Sequence, residues 1–153
     1  MQTFLPYVSY ARCAACLDDK RLCKQIVEAT QILTGRVPTK NHPAVLMWVG
    51  HERSLRSYIT YMCREYTKRY GKKHSLQPEC VFAAEKPYWL TSSRLLMLTH
   101  RVNLLRKNFG VYSKVFPKLA KQDLSVYPQG YYWPIAVGAT ATQHSLDWLN
   151  AYA

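Results

Sequence analysis

Runs of apolar residues at helical spacing, each closed by a glycine, restrict the fold of this chain more than any other feature. The first run spans residues 9–33, and its apolar side chains recur every three or four positions on one side: Leu22, Ile26, Ala29 and Leu33. Ser9 can cap the start of a helix there and Gly35 can end it. This spacing predicts one long helix.

Two more segments have the same pattern. One begins near Pro43, a residue suited to a first helical turn, and runs to Gly71, with Gly50 marking a kink or a close contact. The other spans 91–109, between a Thr91 or Ser92 cap and Gly110.

The rest of the chain is shorter and less regular. Residues 1–8 form an apolar arm, 111–138 are irregular and aromatic, and a short helix is expected at about 139–151. Because no segment shows the alternation typical of strands, we predict an all-α, compact single domain over 1–153. It has three main helices and an aromatic C-terminal tail that wraps them, although such aromatic residues could instead stack on bases.

The charge of the chain indicates a polyanionic partner. There are 21 Lys and Arg against 9 Asp and Glu, a formal net charge of +12. Seven of these cations lie between Arg94 and Lys121 without any acid, and seven more lie between His51 and Lys73. A merely soluble basic surface is the alternative, but we predict salt-dependent nucleic-acid binding.

Several classes of protein fit the sequence poorly. No apolar run is long enough for a membrane span and no signal-like N-terminus is present, so we expect a soluble, cytoplasmic protein. The odd count of five cysteines predicts free thiols, with no metal and no cofactor. The scattered acids argue against a two-metal nuclease, and no phosphate-binding loop or serine-hydrolase motif is present.

Glu28 is the one acid between Asp19 and Glu52, in the stretch KRLCKQIVEA. Helical spacing puts it on one face with Arg21, Lys24 and Gln25. A carboxylate beside a phosphate-binding surface suits a reaction that develops positive charge on a sugar or an imine. The ordinary alternative is a surface ion pair between Lys24 and Glu28.

Several of these segments together resemble the pyrimidine-dimer DNA glycosylase family, also called endonuclease V-like, in a branch with bacterial and viral members. The similar segments extend over about residues 1 to 134: MQTFLPY, LDDKRLCKQIVEA, NHPAVLMW, REYTKRYG, THRVNLLRKNFGVYSKVFP and YYWP. The resemblance implies a compact all-α fold whose N-terminal arm threads between the helices. It also implies a DNA repair enzyme that needs no cofactor and acts on double-stranded DNA, and we expect it to be a monomer.

The best-known member of that family excises pyrimidine dimers and then nicks the strand, through an α-amine and a helix-1 glutamate. The resemblance assigns that glutamate to Glu28, with Gln25 as the competing position, and its basic neighbours to Arg21 and Lys24. It also implies a second DNA-facing surface on the third helix: His100, Arg101, Asn103, Arg106 and Lys107. In the stretch KRLCKQIVEA, Arg21, Lys24 and Gln25 are also predicted to bind DNA. We add His42 to the DNA-binding residues, although a histidine before Pro43 can equally be a cap or a buried, hydrogen-bonded group.

The N-terminus departs from the family pattern. The known enzyme exposes a threonine after Met removal, whereas Gln2 follows Met1 here, and so large a side chain usually blocks that removal. We therefore predict that the α-amine of Met1 attacks the sugar of a damaged or modified pyrimidine. The alternatives are a Schiff base on Lys20 or Lys24, and a water-dependent enzyme that only removes the base. A binding module that has lost catalysis and an RNA-directed protein also fit. We expect it in the bacterial nucleoid or in a virus-infected cell.

Overall fold

A computed structural model describes residues 1–134 and 143–152. Within these ranges the chain forms helices and no strand, which confirms the all-α prediction. The helices, in chain order, are α1 (Tyr10–Cys16), α2 (Asp19–Thr34), α3 (Pro43–Leu46), α4 (Glu52–Tyr70), α5 (Tyr88–Ser92), α6 (Arg94–Lys107), α7 (Phe109–Val115), α8 (Pro117–Ala120) and α9 (Gln143–Tyr152).

The prediction of one long first helix is wrong, because the segment forms two helices, α1 and α2. Ser9 caps α1 and Gly35, in the left-handed region, ends α2, both as predicted. Between them Leu17 adopts an extended conformation and Asp18 is the N-cap of α2. Tyr112 of α7 fixes this break, since its hydroxyl donates to the Asp18 carboxylate at 2.5 Å and accepts from the Asp18 backbone N–H at 3.1 Å.

The second predicted helix is also divided. It starts at Pro43 and its last part ends before Gly71, as expected, but α3 stops at Leu46 and α4 begins at Glu52. Gly50, with a φ of 80°, lies in the left-handed region, where an α-helix cannot continue. The predicted kink is therefore a complete interruption.

The third helix begins and ends at other residues than predicted. Ser93 caps α6 by accepting the Leu96 backbone N–H, and Asn108, not Gly110, ends it. Gly110 lies inside α7, and the segment predicted to be irregular from 111 contains α8 and a 3₁₀ turn at Leu124–Val126. Residues 139–142 of the last predicted helix fall outside the described residues.

The hydrophobic core forms where the N-terminal arm passes between α2, α4 and α6. Phe4 and Leu5 of the arm are buried in the same cluster as the apolar faces of these helices: Leu22, Ile26, Ala29, Leu55, Tyr58, Ile59, Leu104 and Leu105. The expected threading of the arm is therefore observed. A smaller cluster of Val102, Tyr127 and Trp148 packs α9 against the other side of α6.

None of the described helices is both long enough and apolar enough to cross a membrane.

Candidate active site

A cavity of about 310 Å³ opens at the first residues of the chain. Its walls come from the arm, α2, the end of α6 and the tail: Met1, Gln2, Phe4, Lys20, Arg21, Lys24, Glu28, Lys107 and Tyr131. Four of these residues are cations and one is an acid. The cavity therefore places the N-terminus and Glu28 together in a basic surrounding, the combination that the family resemblance implied.

Side chains, rather than a backbone partner, hold the arm in register. Glu28 Oε2 accepts the Gln2 backbone N–H at 3.2 Å and Gln25 Oε1 accepts that of Phe4 at 2.7 Å. His100 Nδ1 accepts the Leu5 backbone N–H at 2.6 Å. The arm carbonyls are bonded in the same way, by Gln25, Tyr58 and Arg101. Successive backbone groups from Gln2 to Pro6 are thereby fixed, and Met1 precedes them at the cavity.

Glu28 contacts the arm as well as its own helix. The Glu28–Lys24 ion pair exists, but at 3.8 Å it is longer than the contacts of Glu28 Oε2 with the Gln2 N–H at 3.2 Å and with Gln25 Nε2 at 3.4 Å. The Glu28 side chain is 13% exposed, whereas that of Lys24 is 65% exposed. An ordinary surface pair would leave both side chains in solvent, so this carboxylate belongs to the cavity.

Gln25 is not at a DNA-accessible position, contrary to its assignment as a DNA contact. It is 1% exposed. Its oxygen accepts from the Phe4 N–H and the Tyr58 hydroxyl, and its amide donates to the Gln2 carbonyl and to Glu28. Since its polar atoms are all engaged with buried partners, Gln25 holds the arm in place.

The cations around Glu28 differ in their availability. Arg21 pairs with Asp18 at 2.9 Å, and both side chains are 16% exposed. Lys20, Lys24 and Lys107 are exposed at the cavity. The lysines can therefore reach phosphates more freely than Arg21 can.

The predicted second DNA surface on α6 is largely wrong. His100 is fully buried, because the arm and the tail cover the face of α6 that the sequence pattern left polar, and burial lowers its pKa to about 3. Asn103 donates to the Thr99 and Gly130 carbonyls. Of the five residues, Lys107 alone lines the cavity.

The two arginines of that surface also act within the fold. Arg101 donates to the Pro6 carbonyl, and its guanidinium lies 4.9 Å from the Tyr7 ring centroid. Arg106 donates to the tail carbonyls of Leu124, Tyr127 and Pro128. Burial lowers the pKa of Arg106. The tail has few backbone partners of its own, so α6 supplies the donors.

His42 is the N-cap of α3, one of the three roles considered for it. Its Nδ1 accepts the Ala44 backbone N–H at 3.1 Å. The ring is half-buried and meets Trp133 edge to face, with centroids 5.7 Å apart. Partial burial and the nearby N-terminal ammonium lower the pKa of His42, against an opposite effect from Glu28.

Sequence reasoning missed Tyr131, which lines the cavity. Its ring packs edge-on against Phe4 and His100, and burial raises its pKa to about 12. The sequence signals were its place in YYWP, which resembled the family, and in the aromatic tail considered for base stacking; neither indicated a role in the cavity.

The cysteines are free thiols, as predicted. Burial raises the pKa of Cys16 and Cys63 to about 12, so these thiols are poor nucleophiles. Across residues 1–134 and 143–152, no three His, Cys, Asp or Glu side chains are grouped in a way that could hold a metal ion.

A comparison with known protein families places part of this chain in one of them. The sequence model described as pyrimidine dimer DNA glycosylase matches residues 1–78, which is 78 of the 153 residues. The match contains the arm, Glu28 and His42, whereas the similar segments in α6 and the tail lie outside it. No curated protein and no solved structure has a significant match. With more than half of its length matched, including the N-terminal side of the cavity, the chain belongs to the pyrimidine dimer DNA glycosylases, a family of DNA repair enzymes.

Proposed function

We propose that this protein is a bifunctional DNA glycosylase and AP lyase, which excises a damaged or modified pyrimidine from double-stranded DNA through an imine intermediate. The observation that carries the proposal is the shared cavity of the Met1 residue and the Glu28 carboxylate, within a set of four cations. Excision through an imine requires an amine, a carboxylate and contacts to phosphate, and the cavity holds the first two together with cations that suit the third.

The α-amine of Met1 is the proposed nucleophile. A primary amine can attack the sugar carbon and then form an imine with it. The hydrogen bonds along the arm fix the residues that follow Met1, whereas Lys20 and Lys24 have exposed, flexible side chains. Removal of Met1 would instead leave Gln2 N as the terminus, 3.2 Å from Glu28 Oε2.

The reaction begins at the deoxyribose C1′. The amine nitrogen forms a bond to C1′ as the bond from C1′ to the base breaks, and the base leaves with that electron pair. Glu28 takes a proton from the attacking nitrogen. The C1′–O4′ bond then opens as a C=N bond forms, and the proton on Glu28 passes to O4′. The carboxylate also stabilises the positive charge on the sugar and the imine. Loss of a proton from C2′ then eliminates the 3′ phosphate.

The exposed lysines at the cavity are the proposed phosphate contacts. Lys20 and Lys24 come from α2 and Lys107 from the end of α6, so two helices supply cations to the cavity that Met1 lines. Duplex DNA must be distorted to bring a sugar to this position, at a cost of a few kcal/mol that a badly stacked lesion reduces. We propose that the protein acts as a monomer on such sites.

Borohydride trapping tests the mechanism. The protein is incubated with duplexes carrying an abasic site or a pyrimidine dimer, and peptide mapping by mass spectrometry locates the reduced adduct. We expect the adduct on Met1, with Lys20→Arg and Lys24→Arg trapped as well as the unchanged protein. An adduct on either lysine would show that this lysine, and not Met1, is the nucleophile. Base release without an adduct would show that water is the nucleophile. Tight DNA binding with neither base release nor an adduct would leave a binding module without catalysis.

A further inference from the structure

Arg21 lines the cavity, and a carboxylate outside the cavity lining holds it there. Its Nη1 donates to Asp18 Oδ2 at 2.9 Å, and both side chains are 16% exposed. Within residues 1–134 and 143–152, no second protein group accepts a hydrogen bond from the Arg21 guanidinium. Its Nε–H and Nη2–H groups therefore remain available to a substrate, in the cavity that Met1 and Glu28 also line.

Asp18 occupies the N-cap position of α2, but its side chain does not cap that helix. Aspartate is among the preferred N-cap residues because its carboxylate can accept backbone N–H groups of the first turn. Here Oδ2 accepts from Arg21 and Oδ1 accepts from the Tyr112 hydroxyl at 2.5 Å. The start of α2 therefore does not explain the orientation of this carboxylate, whereas the contact with Arg21 does.

Tyr112 anchors the Asp18 carboxylate from a distant part of the chain. Its side chain is fully buried, its ring stacks on Phe116, and its hydroxyl accepts the Asp18 backbone N–H at 3.1 Å. Burial, and then the Asp18 carboxylate, raise the pKa of Tyr112, so the hydroxyl keeps the proton that it donates. A buried tyrosine, a carboxylate and a guanidinium thus form a connected series that ends at the cavity.

We propose that Asp18, held by Tyr112, is a positioning residue that orients the Arg21 guanidinium toward a phosphate beside the target sugar and offsets its charge. This role rests on the imine mechanism proposed above. The planar guanidinium can direct two parallel N–H donors at one phosphate, which gives the contact a defined geometry. The exposed lysines lack such geometry, so they attract DNA while Arg21 fixes where the sugar comes to rest.

The offset of charge suits a reaction that builds positive charge on the sugar and the imine. Of the described residues that line the cavity, four are cations and Glu28 is the one acid. An unpaired guanidinium would attract phosphates but oppose the developing positive charge. Paired with Asp18, Arg21 keeps its directed N–H groups with a weaker net field. Asp18 should therefore favour the chemical step while it lowers the affinity for DNA.

Asp18→Asn removes the charge and preserves the local structure. Asparagine is as good an N-cap residue as aspartate, and its Oδ1 can still accept from Tyr112. Glu65→Gln is the matched control, because Glu65 pairs with Arg69 at 3.0 Å and is also 16% exposed, but does not line this cavity. Single-turnover base release at saturating damaged DNA, and affinity for an undamaged duplex at low salt, are measured for both variants and the wild type. Urea unfolding checks the fold.

We expect Asp18→Asn to slow base release about 10- to 100-fold, since a displacement of about 1 Å can reduce a rate by as much as the upper value. Its affinity for the duplex should rise, because an acid near the phosphates is removed. Glu65→Gln should change neither quantity. A general loss of structure would instead lower rate and affinity together, so the opposite directions identify the positioning role.

Arg21→Gln decides whether Asp18 acts through Arg21. In that background Asp18→Asn should slow base release no further, because the group that Asp18 orients is absent. Tyr112→Phe keeps the buried ring, and it should slow base release by a smaller factor that Arg21→Gln also abolishes. If Asp18→Asn does not fold, the same comparison with Tyr112→Phe decides the question.

An unchanged rate in Asp18→Asn would overturn the proposal, and so would weaker DNA binding. An equal loss of rate with and without Arg21 would show that Asp18 acts by another route. These outcomes leave the imine mechanism standing, as long as the wild type releases base and is trapped by borohydride. If the wild type does neither, the proposed function fails and the role of Asp18 fails with it.

Discussion

At the scale of single residues, Glu28 and Gln25 show how two side chains one turn apart divide two tasks. Gln25 is buried and uses both ends of its amide to hold the arm. Glu28 also accepts an arm N–H, but its carboxylate reaches the cavity with its charge. The chemistry requires that charge, whereas the arm requires only an acceptor.

Glu28→Gln should separate these tasks. The amide oxygen can still accept the Gln2 N–H, so we expect the fold and the arm to remain. Single-turnover strand cleavage should fall by about 10²–10⁴-fold, the usual contribution of a positioned proton carrier. DNA affinity should hold or rise slightly, since an anion near phosphates is removed. The control is Glu79→Gln, which changes an exposed acid. If Glu28→Gln cleaves DNA as fast as this control, the role of Glu28 is purely structural.

Part of this site could be predicted from the sequence and part could not. Glu28 was identifiable because it is isolated among cations at helical spacing. Arg106 was assigned to DNA because it also lies in an acid-free basic segment, yet it donates to three tail carbonyls. A residue pattern records charge but not which backbone groups lack partners, so the structural arginine and the exposed Lys107 beside it looked alike.

At the scale of elements, the arm behaves as an extended segment that depends on side chains of three helices. Glu28 and Gln25 of α2, Tyr58 of α4 and His100 of α6 all bond to it. His100 must be neutral to accept the Leu5 N–H, and burial lowers its pKa to about 3. The position of the amine is thereby linked to the protonation of a residue distant in sequence.

Acid should therefore destabilise the fold through His100. Above pH 6.5 the residue is neutral in both states, and its contribution is fully present. Between about pH 6.5 and 3 the unfolded chain binds a proton that the folded chain excludes, which costs up to about 1.4 kcal/mol per pH unit. The variant His100→Asn retains an acceptor near the position of Nδ1. Measured by urea unfolding, its free energy of unfolding should fall less between pH 7.5 and pH 4.5 than that of the wild type.

The matched variant for that measurement is His51→Asn, which should keep the wild-type pH dependence of the unfolding free energy. His100→Asn is expected to be less stable at pH 7.5, because the ring contacts with Phe4 and Tyr131 are lost. The difference between the two pH values is therefore the informative quantity. Equal differences in all three proteins would contradict the linkage.

The helix ends show why the predicted elements were too long. Gly35 and Gly71 end helices as local signals indicate, and Ser9 begins one. The interruption at Leu17 has no comparable local signal, because Tyr112 stabilises it from 94 residues away in the chain, through the Asp18 backbone and carboxylate. Interruptions that depend on distant partners are not encoded in the spacing of neighbouring residues.

At the scale of the whole molecule, the cations behind the net charge of +12 have different partners. Some cations form ion pairs with neighbouring acids, as Arg21 does with Asp18 and Arg69 with both Asp19 and Glu65. Arg106 bonds to tail carbonyls. The exposed lysines at the cavity are in a position to exchange counterions for phosphates, so the affinity for DNA should depend on a subset of the cations.

A salt titration of DNA binding by Lys107→Gln tests whether Lys107 belongs to that subset. If Lys107 contacts one phosphate, the slope of log K against log salt should become less negative by about 0.9 for duplex DNA, and affinity at low salt should fall uniformly across sequences. Unfolding should be unaffected because the side chain is exposed. Lys73→Gln removes the same charge beside Phe82 and Cys80, in a different cavity, and should leave the slope closer to wild type. Indistinguishable slopes for the two variants would mean that the whole basic surface, and not the cavity at the N-terminus, sets the contact with DNA.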